Sequence, residues 1–197
     1  AVACDPAFNF VYEANIRYLH HLGEVTYFSP LADTSLPDAG FVYLPGGYPE
    51  LYLAALSANR QMLQSIRRYV ESGGKLLAEC GGMMYLCDEI RDKNGYVYPM
   101  AGVLHQSATM ENMKLRLGYR TLLYNETRLK GHEFHYSRLV EQQNPLPSCA
   151  VAYTAKGVET DTPLYHYKNV WAGYTHLYWA DPVGNEWFTK FVIDGNT

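Results

Sequence analysis

The run Lys75-Leu76-Leu77-Ala78-Glu79-Cys80-Gly81-Gly82-Met83-Met84-Tyr85-Leu86 decides how the rest of the chain is read. Residues 75–78 form a short apolar strand, and residues 81–87 start a helix. Cys80 occupies the turn between them. A nucleophile held on a sharp strand-to-helix turn in a strained conformation requires small neighbours, and Ala78 and Gly82 supply them. The amides opening the helix point toward the sulfur, which favours thiolate and lowers a thiol pKa. The Gly81 amide is also placed to donate to an oxyanion. A buried, inert cysteine would fit the apolar residues before Cys80, but neither Glu79 nor the glycine pair.

Upstream of this turn, strand and helix alternate. Residues 2–4 read as a strand. Asp5-Pro6 then reads as an N-cap with proline at the first helical position. Phe8, Val11, Tyr12, Ile16, Leu19 and Leu22 recur at helical spacing, and Gly23 closes the helix. Strands follow at 25–28 and 41–44, the latter running into the loop Pro45-Gly46-Gly47-Tyr48-Pro49. Helical patterns at 50–56 and 59–72 end at Gly73-Gly74. This order implies parallel βαβ units and a sheet covered on both faces, with ligands gathering at its carboxyl edge. Downstream, residues 96–98, 117–124, 134–139, 151–154 and 170–174 read as short, aromatic-rich antiparallel strands extending the parallel core. Residues 187–193 read as a terminal helix. The predicted class is α/β: one three-layer domain with a central, mostly parallel sheet, helices on both faces and an antiparallel extension.

Composition narrows the function. The 197 residues are 48% hydrophobic and 18% charged, which suits a globular domain. No apolar run approaches the roughly 20 residues of a membrane span. The net charge of −4 and scattered basic residues give no nucleic-acid surface. Four cysteines without CxxC spacing indicate a reducing, cytoplasmic setting. Eighteen tyrosines suit a cleft wall around a partly polar ligand as well as ordinary packing. The chain opens almost inside a strand without an initiator Met, so it reads as a piece of a longer polypeptide.

A cysteine nucleophile needs a base within hydrogen-bond reach. Among seven histidines, His20 and His21 end a helix, and His105 and His166 have no distinguishing setting. His132 and His135 lie in Gly131-His132-Glu133-Phe134-His135-Tyr136-Ser137. His176 follows an apolar strand in Trp171-Ala172-Gly173-Tyr174-Thr175-His176-Leu177. Either location could reach Cys80. A metalloprotease reading of His132-Glu133-Phe134-His135 fails, since the histidines are three apart on a segment that does not look helical, and no metal is expected. The glycines of the Pro45-Gly46-Gly47 loop leave backbone amides open for a second oxyanion donor. No phosphate-loop motif occurs.

Four motifs carry a family resemblance over essentially the whole chain. They are Leu44-Pro45-Gly46-Gly47-Tyr48-Pro49-Glu50, Ala78-Glu79-Cys80-Gly81-Gly82-Met83-Met84-Tyr85-Leu86, Gly118-Tyr119-Arg120 and the run 131–137. Together they resemble the C-terminal, class I glutamine amidotransferase domain of the cobyrinic acid a,c-diamide synthases. The resemblance implies that Cys80 attacks the glutamine side-chain amide, that His176 raises its nucleophilicity, and that Gly47 and Gly81 line the oxyanion hole. It implies no cofactor in this domain, and ATP and Mg in an absent N-terminal synthetase domain. There the released ammonia would amidate the a and c carboxylates of a corrin in cobalamin biosynthesis. Glutamine, that N-terminal domain, the corrin and a second copy in a homodimer are the partners implied.

The sequence departs from many class I amidotransferases in one respect. They carry Glu two residues after the catalytic His, where this chain has Tyr178. A dyad results, with its third member absent or supplied from elsewhere. Glu79, Glu133 and His135 remain candidates for substrate contact or support of the site, against a buried network that orients the cleft. Other readings are amidation of a different tetrapyrrole such as nickel sirohydrochlorin, a Cys-elbow hydrolase or redox sensor, and a structural domain with a vestigial site.

Overall fold

The computed structural model describes residues 1–194. At its centre is a six-stranded sheet in the order Leu164–Tyr167, Val170–Gly173, Lys75–Glu79, Phe41–Leu44, Val2–Ala3, Tyr27–Phe28. Neighbours pair in parallel except Leu164–Tyr167, which turns back antiparallel on Val170–Gly173. Side-chain alternation sends Val42, Leu44, Leu76 and Ala78 to one face, against Leu56 of helix Leu53–Ala58 and Ile66 and Val70 of helix Arg60–Glu71. Phe41, Tyr43, Leu77 and Trp171 face the other way, against Leu19 of helix Glu13–Leu22 and Trp187 and Phe188 of helix Pro182–Thr189. Leu76 and Leu77 thus anchor opposite layers. Truncating either to alanine is expected to cost roughly 2–5 kcal/mol.

The N-terminal reading needs correction. The first helix starts at Glu13, not beside Pro6. The Asp5 carboxylate instead ties a turn, accepting from the N–H groups of Ala7 (2.8 Å) and Phe8 (3.2 Å). Its other oxygen accepts from the Ser29 hydroxyl (2.8 Å) and the Leu31 N–H (2.9 Å). The following residues run beside the glycine loop, where the Phe10 N–H donates to the Gly46 carbonyl (3.0 Å). The last helix begins earlier than expected, at Pro182, because the Asp181 side chain caps it by accepting from the Gly184 N–H (2.7 Å). A π-helical turn, Lys190–Asp194, follows.

Only Leu164–Tyr167 extends the core sheet in antiparallel sense. Val170–Gly173, expected as an antiparallel extension, instead joins the core in parallel beside Lys75–Glu79, and the remaining downstream strands form two further sheets. One is a five-stranded antiparallel sheet ordered Glu159–Thr160, Val151–Thr154, Arg116–Tyr124, Thr127–His135, His176–Leu177. The other joins Arg138–Leu139, Ser107–Thr109, Glu89–Arg91 and Val97–Pro99. The single strand expected at 134–139 is therefore split between two sheets. After Gly173 the chain leaves the parallel sheet, and His176–Leu177 pairs with the edge of the antiparallel one, His176 opposite His132. That step carries His176 to the place where the two sheets meet. Among the described residues no helix is long and apolar enough to cross a membrane.

Candidate active site

Cys80 lies at φ 49°, ψ −106°, a region a non-glycine residue occupies only under constraint. The constraint is visible on both sides of it. Its N–H donates to the Gly173 carbonyl (2.7 Å), and its carbonyl accepts from the Met84 N–H (3.0 Å). Gly82 lets the helix Gly81–Leu86 lie directly on the Phe41–Leu44 strand, since a Cβ there would fall 2.1 Å from the Leu44 carbonyl oxygen. A Cβ on Gly81 would meet Pro49 Cδ at 2.7 Å and the Gly47 oxygen at 3.1 Å, so the two glycine-bearing turns touch. The sharp strand-to-helix turn at Cys80 is present where the sequence places it.

The Cys80 side chain shares a cavity of about 230 Å³ with His176, Gly47, Tyr48, Phe10, His132 and Phe134. Drug-sized ligand sites run to roughly 300–1,000 Å³, so this one suits a smaller molecule. The Cys80 Sγ lies 3.6 Å from the Phe134 carbonyl. His176 is buried, its ring 4.3 Å from that of Phe10 and flush against Gly46, where a Cβ would fall 2.1 Å from the imidazole Cε1. His176 Nδ1 has no hydrogen-bond partner among the described residues. The nearest acidic atom is Glu79 Oε2, at 4.0 Å. Glu79 is itself anchored: Oε2 accepts from the Tyr43 hydroxyl (2.6 Å) and Oε1 from the Leu177 N–H (3.0 Å).

Electrostatics correct one expectation. The Gly81 amide does lower the thiol pKa, but burial outweighs it and, with the fields of Glu50, Glu79 and Glu133, pushes Cys80 up to about 12. Burial, assisted by His132 and His135, lowers His176 to about 3, leaving a neutral imidazole. Burial raises Glu79 to about 8, against the opposing interactions with Tyr43, Leu177 and Trp179. In this state Cys80 is a thiol that needs a base.

Glu133 and His135 do not enter the Cys80 cavity. They occupy inward positions of the Thr127–His135 strand and are buried together. His135 Nε2 bonds Glu133 Oε1 (2.7 Å), and His135 Nδ1 bonds the Ser137 carbonyl (2.8 Å). Glu133 Oε2 accepts from the Thr162 hydroxyl (3.0 Å) and pairs with Arg120 Nε at 2.5 Å. The His135 ring stacks on Tyr174 at 3.7 Å. Burial works to raise the Glu133 carboxyl, but His135, Arg120 and Thr162 together hold it below its usual value. Of the other histidines, His20, His21 and His105 are exposed, and His166 stacks on Trp171. Cys87 is packed in the core, and all four cysteines are free. Tyr178 packs edge-on against Tyr12 at 5.7 Å. Phe10, Tyr48 and Phe134 as cavity walls, and Tyr43 as the anchor of Glu79, escaped the sequence reading; nothing in their spacing marks them.

The fold is shared with solved glutamine amidotransferases. A solved glutamine amidotransferase superposes with a TM-score of 0.59 at 18% identity, over 98% of this chain and 99% of that one. PurLQS from Thermotoga maritima gives 0.59 at 17% identity, over 98% and 94%. Identities this low establish the fold alone. The family follows from sequence: the model of the CobB/CobQ-like glutamine amidotransferase domain matches residues 1–183, and the chain belongs to that family. Hydrogenobyrinate a,c-diamide synthase of Pseudomonas aeruginosa is 40% identical over 183 residues, covering 90% of this chain and 40% of the relative. Cobyrinate a,c-diamide synthase of Fusobacterium nucleatum is 40% identical over 187 residues, covering 90% and 41%. The chain thus spans about two-fifths of the length of these relatives.

Proposed function

We propose that this domain hydrolyses glutamine and delivers the ammonia for ATP-dependent amidation of the a and c carboxylates of a corrin, on the route to cobalamin. The observation that carries the reading is the shared cavity, in which a constrained Cys80 meets a neutral His176 between two glycine turns. His176 takes the thiol proton as the sulfur bonds the carboxamide carbon, and the Gly47 and Gly81 amides stabilise the oxyanion. The carbon–nitrogen bond then breaks, and the same proton leaves with ammonia. Water adds to the thioester, again through His176, and releases glutamate and the thiol.

Burial raises the Cys80 thiol and lowers His176, which opposes proton transfer between them, so the isolated domain is expected to turn over slowly. The remainder of the polypeptide, which on this reading binds ATP and Mg, completes the site when it docks. The relatives' names include both the metal-free and the cobalt ring, so both are acceptors to assay. Four free cysteines fit work in a reducing cytoplasm. In the full-length protein, Cys80→Ser is expected to abolish glutamine-dependent amidation and leave ammonia-dependent amidation intact. Loss of both, or of neither, rejects this division of labour.

A further inference from the structure

We propose that Glu79, the residue immediately before the nucleophile, is the positioning residue for His176, accepting a hydrogen bond from Nδ1–H so that Nε2 stays free to take the Cys80 proton. The inference rests on the glutaminase reading above. Its geometry is independent of any substrate. His176 Nδ1 is buried and unpartnered among the described residues, and Glu79 Oε2 faces it at 4.0 Å. A small closing movement makes the bond. The carboxylate is already fixed for that task, because Tyr43 holds the oxygen facing the ring and the Leu177 N–H holds the other. Leu177 adjoins His176, so one side chain grips the histidine's own strand and faces its ring.

A buried carboxyl group is tolerated where its oxygens are hydrogen-bonded. Glu79 accepts from Tyr43 and Leu177, with Trp179 beside it, and the unpartnered Nδ1 of His176 lies 4.0 Å from Oε2. His132 lines the same cavity, but no ion pair or hydrogen bond joins it to a carboxylate among the described residues; its ring packs on Tyr119. Glu79 therefore also explains why His176, rather than His132, acts on the thiol. Tyr178, two residues beyond the histidine, packs away on Tyr12. The acidic partner comes instead from the strand that carries the nucleophile, one residue before it.

The test uses the full-length protein and reads kcat and KM for glutamine beside ammonia-dependent amidation. Glu79→Gln keeps shape and an acceptor, but turning its NH2 toward Nδ1 favours the tautomer with Nε2 protonated, which cannot accept from sulfur. Glutaminase kcat is expected to fall by about 10²–10⁴-fold, with KM within about threefold and ammonia-dependent amidation unchanged. Glu79→Asp, which keeps the carboxyl group and shortens the reach, recovers part of kcat. Wild-type kcat in Glu79→Gln overturns the proposal. So does equal loss in both variants together with loss of ammonia-dependent amidation, which would assign Glu79 a purely structural role. A full-length protein whose glutamine-dependent activity survives Cys80→Ser would instead overturn the glutaminase reading itself.

Discussion

The molecule holds two buried imidazole–carboxylate pairs, and they are built to opposite ends. In the first, His135 and Glu133 meet at 2.7 Å, both ring nitrogens are bonded, and Arg120 and Thr162 close the carboxylate. In the second, His176 and Glu79 stand 4.0 Å apart, Nδ1 lacks a partner among the described residues, and the carboxyl is pushed up to about 8. In the first, closed pair both ring nitrogens and both carboxylate oxygens are engaged, which suits a rigid support. The open pair sits beside a constrained thiol and has a proton position undecided. On the proposed function, an unpartnered imidazole nitrogen beside the thiol marks the reacting pair, and an imidazole bonded at both nitrogens marks the supporting one.

The comparison breaks most plainly by deleting the imidazoles. His176→Asn in the full-length protein is expected to lower glutaminase kcat by about 10³-fold or more, whereas His132→Gln changes it less than about tenfold. Equal losses, measured by glutamate release, would remove the distinction between the two histidines of the cavity. A gentler probe leaves both side chains in place. Gly46→Ala puts a methyl where the His176 ring lies. The ring must move, and kcat is expected to fall about 10²-fold while the protein remains folded by circular dichroism.

The closed pair should fail as structure. Arg120→Ala leaves Glu133 buried without its cation and is expected to destabilise the domain by about 3–5 kcal/mol in urea unfolding. Glutaminase activity per folded molecule should stay within about threefold of wild type. A stable variant without activity would move Glu133 and His135 into the catalytic machinery.

The smallest expected effect is a difference in pH slope. Glu79 titrates near 8 when folded against an ordinary 4.5, so its stabilising contribution is full below 4.5 and lost as pH rises through 8. His176, lowered from 6.5 to about 3, contributes above 6.5 and loses that contribution as pH falls toward 3. The two oppose one another between 4.5 and 6.5, and between 6.5 and 8 only Glu79 contributes a slope. Tyr43, Tyr12 and Cys80 also face the pair, but burial holds them above this window. His132, His135, Glu133 and Glu50 are common to wild type and variant. Relative to Glu79→Gln, urea unfolding of wild type should therefore lose on the order of 1–2 kcal/mol from pH 6.5 to 8, the partly buried Ala1 amino group acting alike in both. Parallel slopes would contradict the raised carboxyl.

Local rules made much of this legible. The Phe41–Leu44 strand, the Arg60–Glu71 helix, the nucleophile turn and the Gly23 stop follow from apolar period, glycine placement and strand length. Asp5 misled because a carboxylate that caps a helix also caps a turn, and its second oxygen was taken by Ser29 and Leu31, far along the chain. The Thr127–His135 strand was obscured because Glu133 and His135 fill inward positions where alternation normally places apolar residues. His176 was reached through resemblance. Its spacing left it level with His132 and His135, since the strand exchange that brings it to Cys80 is a tertiary event.

The central claim is that Cys80 attacks a glutamine carboxamide. Its most direct test is treatment of the full-length protein with a glutamine-like alkylating analogue, followed by mass spectrometry of all four cysteine peptides. The account predicts an adduct confined to Cys80, blocked by excess glutamine and much slower to form in His176→Asn. An unlabelled Cys80, or equal labelling of the exposed Cys4, would contradict it.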